Sequence, residues 1–215
     1  ARGMVVRLGG IASFYKLGLW LIFARGFEAF LDELLAAGRR VFLDAKMFDI
    51  GETVRRGIER VAERGVAFVT IHGDREIIRA AVEGRGGSPL KLLVVPALTS
   101  LDTRGLRELG HAGSVADLIA ERARFAVENG VDGIIASPQD NPDAIRRRVG
   151  AARMLVVTPG VRLAGAALDD HKRAGTPAQS IADGADYLVV GRPIIHSADP
   201  AAAARAIIAD MGGAA

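Results

Sequence analysis

The amino-acid sequence predicts an α/β fold, and within that class a (β/α)8 barrel (TIM barrel) whose first strand is missing from the sequence. Three observations lead to this prediction. Short runs rich in β-branched residues alternate with helical stretches along the whole chain. Seven such runs occur, one short of a complete barrel, and a helical stretch at residues 1–10 precedes the first of them. The last two runs both end in a Gly followed closely by an Arg, and in many barrels the loops after strands 7 and 8 bind phosphate.

Glycine residues indicate where the predicted helices end and the next strands begin. Gly38, Gly65, Gly130 and Gly184 each stand between a helical stretch and the next strand, where a glycine commonly ends a helix. The predicted strands cover residues 12–17, 40–46, 66–72, 91–98, 131–137, 153–159 and 185–191. The predicted helices cover residues 26–38, 52–64, 75–84, 114–129, 142–149, 177–184 and 199–210. A doubly wound open sheet is the alternative arrangement of the same elements.

Bulk composition limits the classes of protein. The chain has 215 residues, a formal charge of +3 and no cysteine, which excludes disulfides and thiolate metal sites. No linker divides it, so residues 1–215 are predicted to form a single domain. No apolar run reaches the roughly 18 residues that span a membrane, and no signal sequence opens the chain. We therefore expect a cytoplasmic protein that binds neither membranes nor nucleic acid.

Charged residues follow the second predicted strand. In the stretch VFLDAKMFDIGETV (41–54), Asp44, Lys46 and Asp49 lie close together, although burying charges is costly unless they are paired. Side chains alternate along a strand, so Asp44 and Lys46 share a face with Phe42. In a barrel that face points inward, and its C-terminal end is where barrel active sites lie. Asp49 falls in the following loop and can point elsewhere, even across a subunit boundary.

A second lysine, Lys16, lies near the C-terminal end of the first predicted strand, on the same face as Phe14. Two lysines and two aspartates are therefore expected to converge on one cavity. Such a network can hold a lysine protonated while its neighbouring carboxylates stay ionised, which suits a proton donor facing a developing carbanion. The alternative is a structural ion pair or a solvated loop.

The last two predicted strands and their turns, VVTPGVR (156–162) and LVVGRPI (188–194), predict a phosphate site. Glycine lets backbone N–H groups approach an anion, and an arginine such as Arg192 can clamp it with paired hydrogen bonds. The alternative is two turns with solvated arginines. No His/Asp/Glu set has metal-ligand spacing, so no metal site is predicted.

The motifs taken in order resemble those of the orotidine 5′-phosphate decarboxylase family. LDAKMFDIGETV is similar to that family's Asp-x-Lys-x-x-Asp-Ile signature. No single motif is decisive, but the ordered set is specific and covers nearly the whole chain. The other matching segments are FYKLGL (14–19), LTS (98–100), DGIIASPQ (132–139), VTPGVR (157–162), DDHKRAGTPAQSI (169–181) and ADYLVVGRPI (185–194).

The resemblance implies decarboxylation of orotidine 5′-monophosphate (OMP) to UMP in de novo pyrimidine biosynthesis, without a metal or organic cofactor. Lys46 is implied as the general acid that protonates C6 of the pyrimidine after carbon dioxide leaves. Asp44 is implied to lie near the substrate carboxylate and to hold Lys46. Lys16 is implied to complete the charged chain and to contact the ribose.

The resemblance also implies a homodimer in which Asp49, Ile50 and Thr53 reach into the neighbouring subunit's site. Thr99 is implied to contact the pyrimidine. The positions that match the family's phosphate end are Arg162, Gly191 and Arg192.

Two departures from the family pattern are visible. His171 stands where the family commonly has Gln, and it can still donate a hydrogen bond to phosphate or base. No residue matches the ribose-binding Asp of the family's first strand, so the barrel is expected to be open there. Two alternatives remain: a Mg²⁺-dependent sugar-phosphate decarboxylase or aldolase on the same scaffold, and a non-catalytic barrel that binds a phosphate ligand.

Overall fold

Seven parallel strands form one sheet and follow one another in it in chain order. The computed structural model describes residues 1–163 and 175–212. The strands are β1 Phe14–Gly18, β2 Arg40–Met47, β3 Phe68–His72, β4 Lys91–Val95, β5 Gly133–Ile135, β6 Leu155–Pro159 and β7 Tyr187–Val189. The sheet curls into a nearly closed α/β barrel, which confirms the predicted fold class. β4 stops short of the predicted end at residue 98, because Pro96 has no N–H to continue the ladder.

Helices connect the strands on the outside of the barrel. They are α1 Arg2–Leu8, α2 Leu19–Ile22, α3 Phe27–Ala36, α4 Gly51–Glu63, α5 Arg75–Arg85, α6 Thr103–Glu108, α7 Val115–Glu128, α8 Pro142–Val149, α9 Pro177–Ala182, α10 Arg192–Ile195 and α11 Pro200–Asp210, with a 3₁₀ turn at Pro138–Asp140. The three short helices α2, α6 and α10 and the 3₁₀ turn were not predicted, because they are too short to show a helical period. Within the described ranges, no helix has the length and apolar character needed to cross a membrane.

Helices α4 and α5 show how the sequence builds this outer layer. Val54, Ile58 and Val61 recur at helical spacing and are buried against the sheet. Gly84 of α5 lies against the backbone of α4, where an added Cβ would stand 2.2 Å from the carbonyl oxygen of Arg55. The absence of a side chain at this position is therefore what lets the two helices pack so closely.

Two apolar cores lie on the two faces of the sheet. The outer core between strands and helices contains Val41 and Leu43 of β2. The inner core fills the barrel with Phe42, Phe68, Leu93, Val95, Ile135 and Val157. The predicted side-chain alternation of β2 is therefore correct, and Phe42 points into the barrel.

β1 and β7 are the two edges of the sheet, and side chains bridge the space between them. The rings of Phe14 and Tyr187 lie 5.8 Å apart, edge to face. Arg40 stacks its guanidinium 4.2 Å from the centre of the Phe14 ring and donates a hydrogen bond to the Tyr187 hydroxyl at 3.3 Å. These contacts close the amino-terminal end of the barrel with aromatic and guanidinium groups.

Candidate active site

Strand β2 loses its regular pairing at the residues predicted to carry the chemistry. Leu43 pairs with Val69 of β3, and the next pair along the ladder is Met47 with Ile71. Three residues of β2, at positions 44–46, therefore oppose a single residue of β3. A bulge of this kind re-aims side chains, and bulges are common beside active sites.

Lys46 has an unusual backbone conformation at the end of this bulge. Its φ is +47°, and among the described non-glycine residues only Lys46 and Asn141 have a positive φ. L-residues avoid this region, and where they adopt it the surrounding structure must hold them there. Contacts around Lys46 must therefore hold its backbone in this conformation, and its side chain lies beside Asp44.

Asp44 lies between two lysine ammonium groups. Lys16 Nζ donates to Asp44 Oδ2 at 2.9 Å, and Lys46 Nζ donates to Asp44 Oδ1 at 2.8 Å. The Asp44 side chain is 14% exposed, whereas the lysine side chains are 32% and 40% exposed. The structure therefore brings together three of the four predicted charged residues at the carboxyl end of β1 and β2; we call Lys16, Asp44 and Lys46 the charged cluster.

The electrostatics of the charged cluster favour an ionised aspartate. Burial acts to raise the pKa of Asp44, but the charge of Lys16 and the hydrogen bond and charge of Lys46 act against it. The net effect is that the pKa of Asp44 lies below its ordinary value. Asp44 is consequently a carboxylate at neutral pH, fixed between two cations.

Sequence reasoning missed Thr70 of β3, the residue opposite the bulge. Thr70 is fully buried, and its hydroxyl accepts a hydrogen bond from the Lys46 backbone N–H at 2.9 Å. The same hydroxyl donates to Asp44 Oδ1 at 2.9 Å. Strand alternation could have indicated it, because Thr70 shares the inward face with Phe68.

Asp49, the fourth predicted charged residue, lies outside the charged cluster. It is exposed in the loop between β2 and α4, and its carboxylate accepts a hydrogen bond from the Ile50 N–H at 2.7 Å. No ion pair joins Asp49 to another of the described residues. Ile50 is 70% exposed, Phe48 is 68% exposed, and Thr53 in the first turn of α4 is exposed as well.

The predicted phosphate-end residues follow β6 and β7. Arg162 is 6% exposed, and its guanidinium donates to the carbonyl of Val161 at 2.8 Å. Its backbone N–H donates to the carbonyl of Gly175 at 2.9 Å, so Arg162 and Gly175 lie side by side. Gly191 precedes α10 and Arg192 is its first residue, both half-buried.

Thr99 and His171 are the two other residues predicted to contact the substrate. Thr99 lies half-buried in the turn after β4. His171 falls in the segment outside the described residues. Because all strands are parallel, the turns after β4, β6 and β7 lie at the same end of the barrel as the charged cluster.

Metal-ligating groups do not gather elsewhere in the described part of the chain. Residues 1–163 and 175–212 contain no set of three His, Asp or Glu side chains that could hold an ion. His72, at the end of β3, pairs through Nδ1 with Asp74 at 2.7 Å and contacts the Phe48 ring at 4.5 Å between ring centres.

Two cavities lie away from the charged cluster. One of about 1000 Å³ is at the amino ends of the strands and is lined by Arg40, Lys91 and Tyr187. The other, of about 810 Å³, flanks the loop between β2 and α4 beside Phe48 and Ile50. Because catalytic groups of barrels lie at the carboxyl ends of the strands, the first cavity is not the candidate active site.

Comparisons with known proteins agree with these observations. The model of the "Orotidine 5'-phosphate decarboxylase / HUMPS family" matches residues 1–207. The chain is 50% identical over 206 residues to an orotidine 5′-phosphate decarboxylase of Ruegeria pomeroyi, covering 95% of this chain and 85% of that protein. It is 46% identical over 214 residues to one of Rhodopseudomonas palustris, covering 100% of this chain and 90% of the relative.

A solved structure shows the same fold. The crystal structure of orotidine 5′-phosphate decarboxylase from Lactobacillus acidophilus matches with a TM-score of 0.82 at 30% identity, covering 99% of this chain and 93% of that one. The barrel fold and the motif order agree with these matches. The chain therefore belongs to the orotidine 5′-phosphate decarboxylase / HUMPS family.

Proposed function

We propose that the chain decarboxylates OMP to UMP in de novo pyrimidine biosynthesis. The observation that carries the proposal is the charged cluster at the carboxyl end of the barrel: a nearly buried carboxylate held between two ammonium groups. Relatives that share about half of this sequence are orotidine 5′-phosphate decarboxylases, which supports the same substrate here.

The proposed chemistry is a single exchange of carbon dioxide for a proton. The bond between C6 and the carboxylate breaks, carbon dioxide leaves, and the electron pair stays on C6. Lys46 then gives a proton to C6, and the neutral amine regains a proton from solvent. Asp44 stands near the substrate carboxylate and orients Lys46, while Lys16 contacts the ribose and balances the charge of Asp44.

Substrate binding at the remote end supplies energy for this step. Arg162, Gly191 and Arg192 hold the phosphate, Thr99 contacts the pyrimidine, and His171 donates a hydrogen bond to phosphate or base. Binding energy from the phosphate is then available to place the carboxylate against Asp44, which destabilises the bound substrate more than the transition state.

The active unit in this proposal is a homodimer. Asp49, Ile50 and Thr53 extend from the loop after β2 into the site of the neighbouring subunit. Exposed apolar side chains at this end of the barrel support a buried contact, because monomers rarely leave such groups in water together. These are Trp20 at 80%, Phe23 at 81%, Ile50 at 70% and Phe48 at 68% exposure.

A substrate panel tests the proposal against its rivals. The purified chain is offered OMP in EDTA and, separately, a hexulose phosphate with Mg²⁺, and binding of UMP is measured by calorimetry. Turnover of OMP in EDTA supports the proposal. Activity only with the sugar phosphate and Mg²⁺ indicates the alternative on the same scaffold, and UMP binding without any turnover indicates a non-catalytic ligand-binding barrel.

A further inference from the structure

Thr70 occupies a position that ordinary strand pairing leaves without a partner. β2 places residues 44–46 opposite this one residue, so the regular ladder between β2 and β3 is interrupted there. The hydroxyl of Thr70 takes the place of the missing ladder carbonyl by accepting the Lys46 N–H at 2.9 Å. A side chain thus satisfies a backbone donor at a part-buried position, where an unpaired N–H is costly.

The Thr70 hydroxyl also reaches the functional carboxylate. It has one proton to give, and that proton goes to Asp44 Oδ1 at 2.9 Å. Asp44 Oδ1 also accepts from Lys46 Nζ at 2.8 Å. One hydroxyl therefore connects the backbone of Lys46, the carboxylate of Asp44 and, through that carboxylate, the ammonium of Lys46.

The strained backbone of Lys46 depends on the hydrogen bond from its N–H to Thr70. With φ at +47°, the Lys46 backbone needs contacts that oppose its relaxation toward the common β region. The hydrogen bond to Thr70 is such a contact, and it comes from a side chain with no exposed surface. The Thr70 hydroxyl can therefore fix the orientation of both Asp44 and Lys46.

We propose that Thr70 is a positioning residue: its hydroxyl holds the β2 bulge in the strained form that sets Asp44 and Lys46 for proton transfer. The inference rests on the proposed decarboxylation for its kinetic readout. Thr70 itself touches neither the reacting carbon nor the proton that moves. Its loss should therefore reduce kcat and leave substrate binding nearly intact.

The test compares Thr70→Val with Thr70→Ser. Valine keeps the shape and removes the hydroxyl, so kcat for OMP should fall roughly 10- to 100-fold while KM changes less than about threefold. Serine keeps the hydroxyl and should restore most of kcat. If valine fails to fold, Thr70→Ala, which adds no bulk, takes its place in the comparison.

Thr158 of β6 provides a matched control. It is another fully buried strand threonine, but its hydroxyl has no hydrogen-bond partner among the described residues. Alternation places it on the outer face of the sheet, since Val157 lies in the inner core. Thr158→Val removes the same group without touching the charged cluster, and its kcat should match that of the unmodified chain.

Hydrogen exchange at the Lys46 amide gives a readout that does not require activity. In the unmodified chain and in Thr70→Ser this amide should be protected, and in Thr70→Val it should exchange at least about tenfold faster. Were the unmodified chain to show no decarboxylation, the proposed function would fail while the exchange measurement still decided the role of Thr70.

Several outcomes overturn the inference. Equal kcat for Thr70→Val and the unmodified chain shows that the hydroxyl positions nothing. Failure of Thr70→Ser to retain kcat shows that the hydroxyl alone does not set the positions of Asp44 and Lys46. A loss expressed in KM alone makes Thr70 a binding residue, and unchanged exchange at Lys46 in Thr70→Val shows that the bulge does not depend on it.

Discussion

Replacing Asp44 with Asn removes one negative charge from between two positive ones and changes little else in shape. Two unit charges about 4 Å apart attract by about 4 kcal/mol at the effective dielectric of a protein surface. The two lysines are 32% and 40% exposed, so either ammonium can turn to water and recover much of that energy. We therefore expect Asp44→Asn to lower the free energy of unfolding by about 1–3 kcal/mol at neutral pH.

The pH dependence of this difference in unfolding free energy shows whether it comes from the charge of Asp44. Because the folded-state pKa of Asp44 is lowered, the stabilisation from its charge is fully present above the ordinary aspartate pKa of about 3.9. It is lost as the pH falls through the folded-state pKa. The stability difference between Asp44→Asn and the unmodified chain should accordingly shrink on acidification below about pH 4.

Urea unfolding followed by circular dichroism, from about pH 7 to about pH 3, measures both effects. Asp32→Asn is the matched control, since Asp32 pairs with Arg64 at 2.8 Å but is 66% exposed, and its change should be much smaller. Equal stability of Asp44→Asn and the unmodified chain at neutral pH refutes the electrostatic reasoning. A stability difference that persists unchanged in acid refutes it as well.

Three other predictions test the dimer, the phosphate end and the packing. Mixing inactive Asp49→Ala with inactive Lys46→Ala should restore up to about one quarter of the activity through mixed dimers, and no recovery contradicts a shared site. Arg192→Ala should raise KM for OMP roughly 10- to 100-fold, measured by initial rates, and an unchanged KM contradicts phosphate binding there. Gly84→Ala should lower the free energy of unfolding in urea by about 1–3 kcal/mol, because the new Cβ would stand 2.2 Å from the carbonyl oxygen of Arg55. An unchanged free energy of unfolding contradicts that close approach.

Local sequence pattern was sufficient for the fold and for the main grouping of the site. Alternation along β2 placed Phe42 inside the barrel, and the order of strands placed Lys16 and Asp44 at neighbouring strand ends. These predictions succeed because strand alternation and parallel order depend on residues that are close in sequence. The sequence alone therefore assigns Lys16, Asp44 and Lys46 to one end of the barrel.

The bulge in β2 and the role of Thr70 could not be predicted in the same way. Both depend on the register between β2 and β3, which is set by packing between distant parts of the chain. The positive φ of Lys46 has no signal in the sequence, because glycine, the residue that usually marks such a conformation, is absent there. Helix α2 escaped prediction because its four residues show no period.

The central claim is that the charged cluster decarboxylates OMP without a metal, with Lys46 as the proton donor. The most direct measurement is the initial rate at which purified chain in EDTA consumes OMP, followed by its absorbance beside Lys46→Ala under the same conditions. We predict steady turnover by the unmodified chain and a loss of at least about 100-fold in Lys46→Ala, with UMP binding retained. No turnover in EDTA, or comparable rates for the two proteins, would contradict the claim.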